Sequence, residues 1–159
     1  MANPFKLNDF DAKVWMKILL DRAREVGLEG EVPVAAIILD KNGLCISRGE
    51  NRRERDKNPL AHAEIIAIQN ALKKKKDWRF NDCTMLVTLE PCPMCAGAII
   101  QARMGQLIFG ASDIKRGAFG GVIDLSKDKT AHHKMIVKKG IMAKTSQELL
   151  QNWFRNHRK

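Results

Sequence analysis

The chain has 159 residues, of which 45% are hydrophobic and 29% are charged. This composition is typical of a globular protein and excludes a disordered or fibrous chain. The length predicts one domain over residues 1–159. The longest apolar run has only six residues, so no segment is expected to span a membrane. The N-terminus lacks a basic start followed by an apolar core, so we expect no secretory signal and a cytoplasmic location. In that compartment, the four cysteines more often serve metal binding or catalysis than disulfides.

Positive charge is distributed unevenly along the chain. The 28 Lys and Arg residues exceed the 18 Asp and Glu residues, and residues 110–159 carry +7 of the net charge of +10. A basic surplus in the last third is typical of proteins that bind a polyanion such as nucleic acid. Solubility alone is the alternative explanation.

Hydrophobic periodicity predicts the elements of the first half of the chain. In order, they are a helix over 8–28, strands over 32–40 and 44–48, a charged loop over 52–59 and a helix over 61–75. Asn8 or Asp9 can cap the first helix, and Asn42-Gly43 predicts a hairpin between the strands. Two sets of apolar residues are expected to form the inner faces of the helices: Val14, Ile18, Ala23 and Val26 on the first, and Ile65, Ile68 and Leu72 on the second.

The second half alternates strands and helices. The predicted elements are a strand over 84–89, a helix over 91–103, a strand over 106–109, an irregular loop over 113–130, a strand over 134–137 and a helix over 146–155. This order favours an α/β protein, a three-layer α/β/α fold around a mixed sheet of five strands. The lysine run at 73–76 is interpreted as the solvated end of a helix, where cations complement the helix dipole.

Two short motifs stand at the starts of predicted helices. One contains His62 and Glu64, and the other is Pro91-Cys92-Pro93-Met94-Cys95. One imidazole and two thiolates form the protein ligand set of a catalytic zinc, whose fourth position stays open to water. Cys92 and Cys95 are three residues apart and therefore share one face of a helix. His62 and Glu64 are only two residues apart, so they converge only if His62 lies in the first turn or just before it.

Glu64 lies among apolar residues in the sequence. A buried glutamate needs a partner, because desolvation of a charge is costly. Beside a zinc-activated water, Glu64 can accept a proton and pass it to a substrate nitrogen. Two alternatives stay open: Glu64 is an exposed helix residue, or it is the fourth ligand of a structural zinc, although structural sites favour Cys and His.

A His-x-Glu motif followed by Pro-Cys-x-x-Cys is the signature of the zinc deaminases that act on nucleobases. On these residues the chain resembles the cytidine/deoxycytidylate deaminase superfamily, and within it the bacterial tRNA-specific adenosine deaminases. The resemblance extends over nearly the whole chain through further blocks: residues 30–34, Glu50-Asn51, 87–98, 109–111, Asp113-x-Lys115 and Trp153-Phe154-Arg155. It implies a cytidine deaminase-like fold in a single zinc-dependent deaminase domain that converts adenosine to inosine at the wobble position of a tRNA anticodon.

The resemblance also implies roles for individual residues. One zinc ion per chain would be held by His62, Cys92 and Cys95, and Glu64 would shuttle protons while water attacks C6 of adenine. The family's substrate contacts fall on five residues here: Asn51 at the flipped adenine, Asp113 and Lys115 near the anticodon backbone, and Phe154 and Arg155 at the tRNA loop. The family is homodimeric, with the anticodon loop near the subunit boundary.

Two other functions stay open at this point. A deaminase of free bases or nucleosides would use the same metal set, but the basic last third and the aromatic-basic chain end favour RNA. A nucleic-acid-binding module with a structural zinc would have no use for Glu64. At least one of Trp153 and Phe154 is expected to pack into the core.

Overall fold

The computed structural model describes residues 6–157, so the N-terminal segment on which the absence of a secretory signal was predicted lies partly outside the described residues. Within this range the helices are α1 (Asp9–Leu28), α2 (Arg53–Asp56), α3 (Ala63–Leu72), α4 (Pro93–Gln101) and α5 (Ala143–Asn156). The strands are β1 (Ala35–Leu39), β2 (Cys45–Glu50), β3 (Thr84–Leu89), β4 (Gln106–Ala111) and β5 (Ile136–Lys139), and a 3₁₀ turn covers Leu125–Lys127. No helix in this part of the chain is both long and apolar enough to cross a bilayer.

The five strands form one mixed sheet in the order β2-β1-β3-β4-β5. β1 is antiparallel to both β2 and β3, whereas β3, β4 and β5 are parallel. Helices cover both faces, with α1 packed on one face and α3 and α4 on the other. The predicted three-layer α/β/α fold with a mixed five-stranded sheet is therefore confirmed. Because β3 and β4 are parallel, their carboxyl ends meet at one edge, where ligands bind in sheets of this kind.

The hairpin and the cap of α1 are where the sequence places them. Asn8 caps α1 by accepting a hydrogen bond from the amide of Asp11 at 2.8 Å. β1 and β2 pair around the turn at Asn42-Gly43, where the carboxylate of Asp40 accepts hydrogen bonds from the amides of Asn42 and Leu44. Local side-chain acceptors of this kind are readable from sequence because both partners lie within a few residues.

The predicted inner face of α1 is only partly correct. Ala23 and Val26 are buried, but Val14 and Ile18 are 46% and 42% exposed. The helix instead buries a neighbouring stripe against the sheet, formed by Ala12, Met16, Leu19, Leu20, Ala23 and Val26. Two overlapping apolar stripes fit the same periodicity, and the larger stripe, with Met and Leu side chains, wins because it buries more apolar area.

The predicted inner face of α3 is only partly correct, since Ile68 packs against the core but Leu72 is exposed. The fully buried residues of the helix are instead Ala63, Glu64, Ala67 and Ala71. The cause is a close approach of backbone to backbone: a Cβ atom added to Gly49 of β2 would lie 2.1 Å from the carbonyl oxygen of Ala63. At that spacing only small side chains fit between helix and sheet.

Several element boundaries differ from the prediction. The loop expected over 52–59 contains the short helix α2, because the buried carboxylate of Glu31 accepts hydrogen bonds from the amides of Glu54 and Arg55. α3 and α4 begin two residues later than predicted, and β5 lies two residues further along the chain. Near the chain end Trp153 packs on α1, where its Nε1 donates to the carbonyl of Gly27 at 2.9 Å. Phe154 is 47% exposed, so Trp153 is the packing residue of that pair.

Candidate active site

The starts of α3 and α4 bring the predicted metal ligands together. His62 and Cys92 are the N-cap residues of these helices, in extended backbone conformation, and neither side chain caps its own helix. The two side chains face one another instead, with the Cys92 Sγ atom 3.7 Å from the His62 Nδ1 atom. The N-cap position of His62 meets the condition under which His62 and Glu64 converge.

The donor atoms have the spacing of a zinc site. The Sγ atom of Cys95 lies 3.6 Å from Nδ1 of His62, and the three donor atoms all lie within 4.8 Å of one another. Tetrahedral zinc with ordinary Zn–S and Zn–N bonds requires S···N separations of about 3.6 Å. The group contains three protein ligands, and this is the number in a catalytic site with an open position. The site fits one zinc ion per chain.

The two thiols differ in acidity. A hydrogen bond from Cys95, together with the nearby His62 ring, lowers the pKa of Cys92 to about 3 despite burial. The same hydrogen bond and the burial of Cys95 raise the pKa of the Cys95 thiol. Because metal ions bind the thiolate form of cysteine, a zinc ion held here would be accompanied by release of a thiol proton.

Glu64 is a buried acid beside these ligands. Its side chain is 5% exposed, so the alternative of an exposed helix glutamate is wrong. Burial is the main reason why its pKa is raised, and the neighbouring Cys92 adds to the effect. A carboxyl group with a raised pKa holds a proton more readily than an ordinary glutamate, which suits a group that must accept a proton and then donate it.

A cavity of about 720 Å³ opens above this group. His62, Glu64 and Cys92 line it, and Cys95 is fully buried behind them. All five residues predicted to bind substrate also line it: Asn51, Asp113, Lys115, Phe154 and Arg155. The structure thus brings together residues from five separate segments of the chain.

Asn51 and Asp113 each form hydrogen bonds within the protein. The Asn51 amide donates to the carbonyl of Val32 at 3.3 Å and accepts from the amide of Arg53 at 3.1 Å, which leaves one N–H and one lone pair for a ligand. One carboxylate oxygen of Asp113 accepts from the amides of Lys115 and Arg116 at 2.9 and 3.0 Å. Asp113 therefore shapes the turn that carries the two basic residues.

The cavity wall contains residues that were not predicted. Arg53 and Arg116 add two positive charges, and Gln147 and Gln151 project from α5. The signal for the α5 residues is their spacing, because Gln147, Leu150, Gln151 and Phe154 follow the period of one helix face. Arg116 adjoins the predicted Lys115, whereas nothing local distinguishes Arg53 from other arginines of its charged segment.

The protein has a three-layer α/β/α fold, with a His, two Cys and a buried Glu at the N-termini of two helices. This is the arrangement of a zinc-dependent deaminase. The sequence profile of the cytidine and deoxycytidylate deaminase zinc-binding region matches residues 10–111. The chain therefore belongs to the cytidine and deoxycytidylate deaminase family.

Relatives within this family are similar over most of the chain. The tRNA-specific adenosine deaminase of Haemophilus influenzae is 38% identical, over 95% of this chain and 87% of the relative. The enzyme of the same name from Bacillus subtilis is 37% identical, over 92% of this chain and 91% of the relative. A structure from a study of A-to-I editing by tRNA:A34 deaminases at the wobble position of transfer RNA superposes with a TM-score of 0.81 at 37% identity, covering 85% of this chain and 97% of the other.

Proposed function

We propose that this chain is a tRNA adenosine deaminase, which converts adenosine to inosine at the wobble position of a tRNA anticodon. A single zinc-dependent deaminase domain over residues 1–159 carries the activity. The observation that supports it best is the cavity above the three-ligand site, whose rim bears Arg53, Lys115, Arg116 and Arg155. A free base has no phosphates for such a rim to neutralise, whereas an anticodon loop has several.

The chemistry is hydrolysis, in which adenosine and water give inosine and ammonia. His62, Cys92 and Cys95 hold the zinc ion, which supplies Lewis-acid activation of water when it is bound. Glu64 accepts a proton from the attacking water at its carboxylate. It donates this proton to N1 of adenine, then takes the proton of the hydroxyl group now on C6 and gives it to the amino group, which leaves as ammonia while the C6 carbonyl of inosine forms.

The remaining predicted site residues bind the RNA. Asn51 uses its free N–H and lone pair on the flipped adenine. Lys115 and Arg155 neutralise phosphates, and Asp113 orients the turn that presents Lys115. The half-exposed ring of Phe154 offers a surface on which an unpaired base of the loop stacks.

The active form is a cytoplasmic homodimer. Partly exposed apolar residues lie along α3 and just before it, at Leu60, Ile65 and Ile66, and such a face suits a subunit interface. None of the four cysteines forms a disulfide, as is usual for a reducing compartment. Sedimentation velocity tests the dimer, since a mass equal to one chain at working concentration excludes it.

The decisive experiment compares substrates. We expect the protein to form inosine and ammonia from the anticodon stem-loop of a tRNA with adenosine at position 34, and to leave free adenosine, guanine and cytosine essentially unchanged. Conversion of a free base with no reaction on the stem-loop would make the protein a small-molecule deaminase. Tight binding of the stem-loop with full zinc content and no turnover of any substrate would make it a binding module.

The zinc assignment has its own test. The Cys92→Ala variant removes one of three ligands, so elemental analysis should find zinc largely lost from a ratio of one per chain in the wild type. Cys83→Ala is the matched control, because Cys83 is buried but lies outside the donor group. Full zinc occupancy in Cys92→Ala would contradict the assignment.

A further inference from the structure

Glu90 is a buried carboxylate without a cationic partner. Its side chain is 2% exposed, and no Lys, Arg or His among the described residues forms an ion pair with it. It follows β3 directly and precedes the metal-ligand residue Cys92 by two positions. A charge so placed requires hydrogen bonds to replace its water.

Those hydrogen bonds come from a single loop. The amides of Asp113, Phe119 and Gly121 donate to the two carboxylate oxygens of Glu90 at 2.8, 3.0 and 2.8 Å. Hydrogen bonds to an ionised acceptor are about twice as strong as neutral ones. We call residues 112–121 the rim loop, because Asp113, Lys115 and Arg116 lie in it and line the mouth of the cavity.

The rim loop is fitted closely around this carboxylate. A Cβ atom added to Gly117 would lie 2.3 Å from Oε2 of Glu90 and 2.5 Å from the carbonyl oxygen of Asp113. The amide of Ala118 also donates to the carbonyl of Pro91 at 3.0 Å. The segment that leads into the metal site and the loop that carries the basic residues are thus joined through Glu90.

We propose that Glu90 is a positioning residue, which fixes the rim loop so that Lys115 and Arg116 meet the phosphates of the RNA substrate. This inference rests on the proposed function for the identity of the substrate. Glu90 also lines the cavity, but we assign it no part in the chemistry, because both of its oxygens already accept hydrogen bonds from backbone amides and it lies outside the metal-binding group. Its effect reaches the substrate through the turn that Asp113 caps.

The chain contains a matched control. Glu31 is also 2% exposed, and it accepts hydrogen bonds from the amides of Glu54 and Arg55 at 3.2 and 2.7 Å. It therefore anchors a different segment by the same chemistry. Replacing either glutamate with Gln keeps the size of the side chain but puts an NH₂ group where amides require an acceptor.

The first test is hydrogen–deuterium exchange of the zinc-loaded protein. In Glu90→Gln we expect the amides of Asp113, Phe119 and Gly121 to exchange at least about tenfold faster than in the wild type, because three anchoring bonds are weakened. In Glu31→Gln these amides should keep their wild-type rates. Wild-type exchange of the rim loop in Glu90→Gln, or equal acceleration in both variants, overturns the proposal.

The second test separates positioning from chemistry on the stem-loop substrate. We expect Glu90→Gln to raise KM about tenfold or more, with kcat within about threefold of wild type and zinc at one per chain. The salt dependence of KM should flatten by about two phosphate contacts. Adding Lys115→Ala and Arg116→Ala to Glu90→Gln should raise KM little further, because these side chains are then already out of position. A fall in kcat with unchanged KM overturns the proposal, since it would place Glu90 in the chemistry.

The outcomes distinguish this proposal from the proposed function. If the wild type fails to deaminate the stem-loop, the proposed function fails, while the exchange experiment still decides whether Glu90 fixes the rim loop. If Glu90→Gln does not fold, Gly117→Ala disturbs the same contact from the side of the loop. Unchanged rim-loop exchange and unchanged KM in Gly117→Ala then overturn the proposal.

Discussion

Gly49 of β2 packs directly against the backbone of α3. We therefore predict that the Gly49→Ala substitution, which adds one methyl group outside the active site, will impair activity. A Cβ atom in Gly49→Ala would lie 2.1 Å from the carbonyl oxygen of Ala63 and 2.5 Å from the amide nitrogen of Ala67. Both are backbone atoms, so the whole start of α3 must move by about 1 Å to restore an ordinary contact. His62 and Glu64 adjoin Ala63 and must move with it.

The size of the effect follows from that displacement. Overpacking of a close-packed contact costs about 1–3 kcal/mol of the free energy of unfolding. A shift of about 1 Å in catalytic groups lowers activity by roughly 100-fold. Urea unfolding followed by the fluorescence of the three Trp residues measures the first quantity, and kcat/KM on the anticodon stem-loop measures the second.

Gly97→Ala is the control for this experiment. Gly97 lies inside α4, where an added Cβ atom has no neighbour within 4 Å. Alanine in a helix interior is favoured over glycine by up to about 1 kcal/mol, so this variant should be as stable as the wild type or more stable, with unchanged activity. Wild-type stability and activity in Gly49→Ala would refute the argument that this backbone contact places α3.

Three further predictions concern the acid, the RNA and a buried thiol. Glu64→Gln should keep zinc and fold but lose turnover by at least about 100-fold, because Gln cannot carry a proton; substantial deamination would assign the proton shuttle to another group. Arg155→Ala should flatten the salt dependence of stem-loop binding by about one phosphate contact, whereas Lys74→Ala, in the exposed lysine run, should not. Equal effects of the two substitutions on binding would mean that the basic surplus of the last third serves only solubility. Burial raises the pKa of Cys83 to about 12. The buried neutral thiol therefore contributes fully to the free energy of unfolding below the pKa of an unfolded thiol. This contribution is lost as pH rises towards 12, at up to about 1.4 kcal/mol per pH unit. The chain has no tyrosine, so urea unfolding between pH 9 and 11 should show a shallower decline in Cys83→Ala, and parallel declines would contradict the burial argument.

The sequence alone was sufficient for features whose cause lies within a few residues. The spacing of Cys92 and Cys95 and the His-x-Glu motif depend only on ligand chemistry and helix geometry, so the sequence alone predicts the donor group. The cap at Asn8 and the turn at Asn42-Gly43 are local in the same way. The order of strands and helices was enough for the α/β class, because each element carries its own periodicity.

Tertiary structure decided everything that depends on contacts between distant segments. Periodicity cannot choose between two apolar stripes on one helix, so the exposed side of α1 and the alanine face of α3 were fixed by what the sheet presents to them. The rim loop owes its shape to Glu90, which lies more than twenty residues earlier in the chain. The cavity itself has walls from six segments of the chain, and two of them meet because β3 and β4 run parallel and end at the same edge of the sheet.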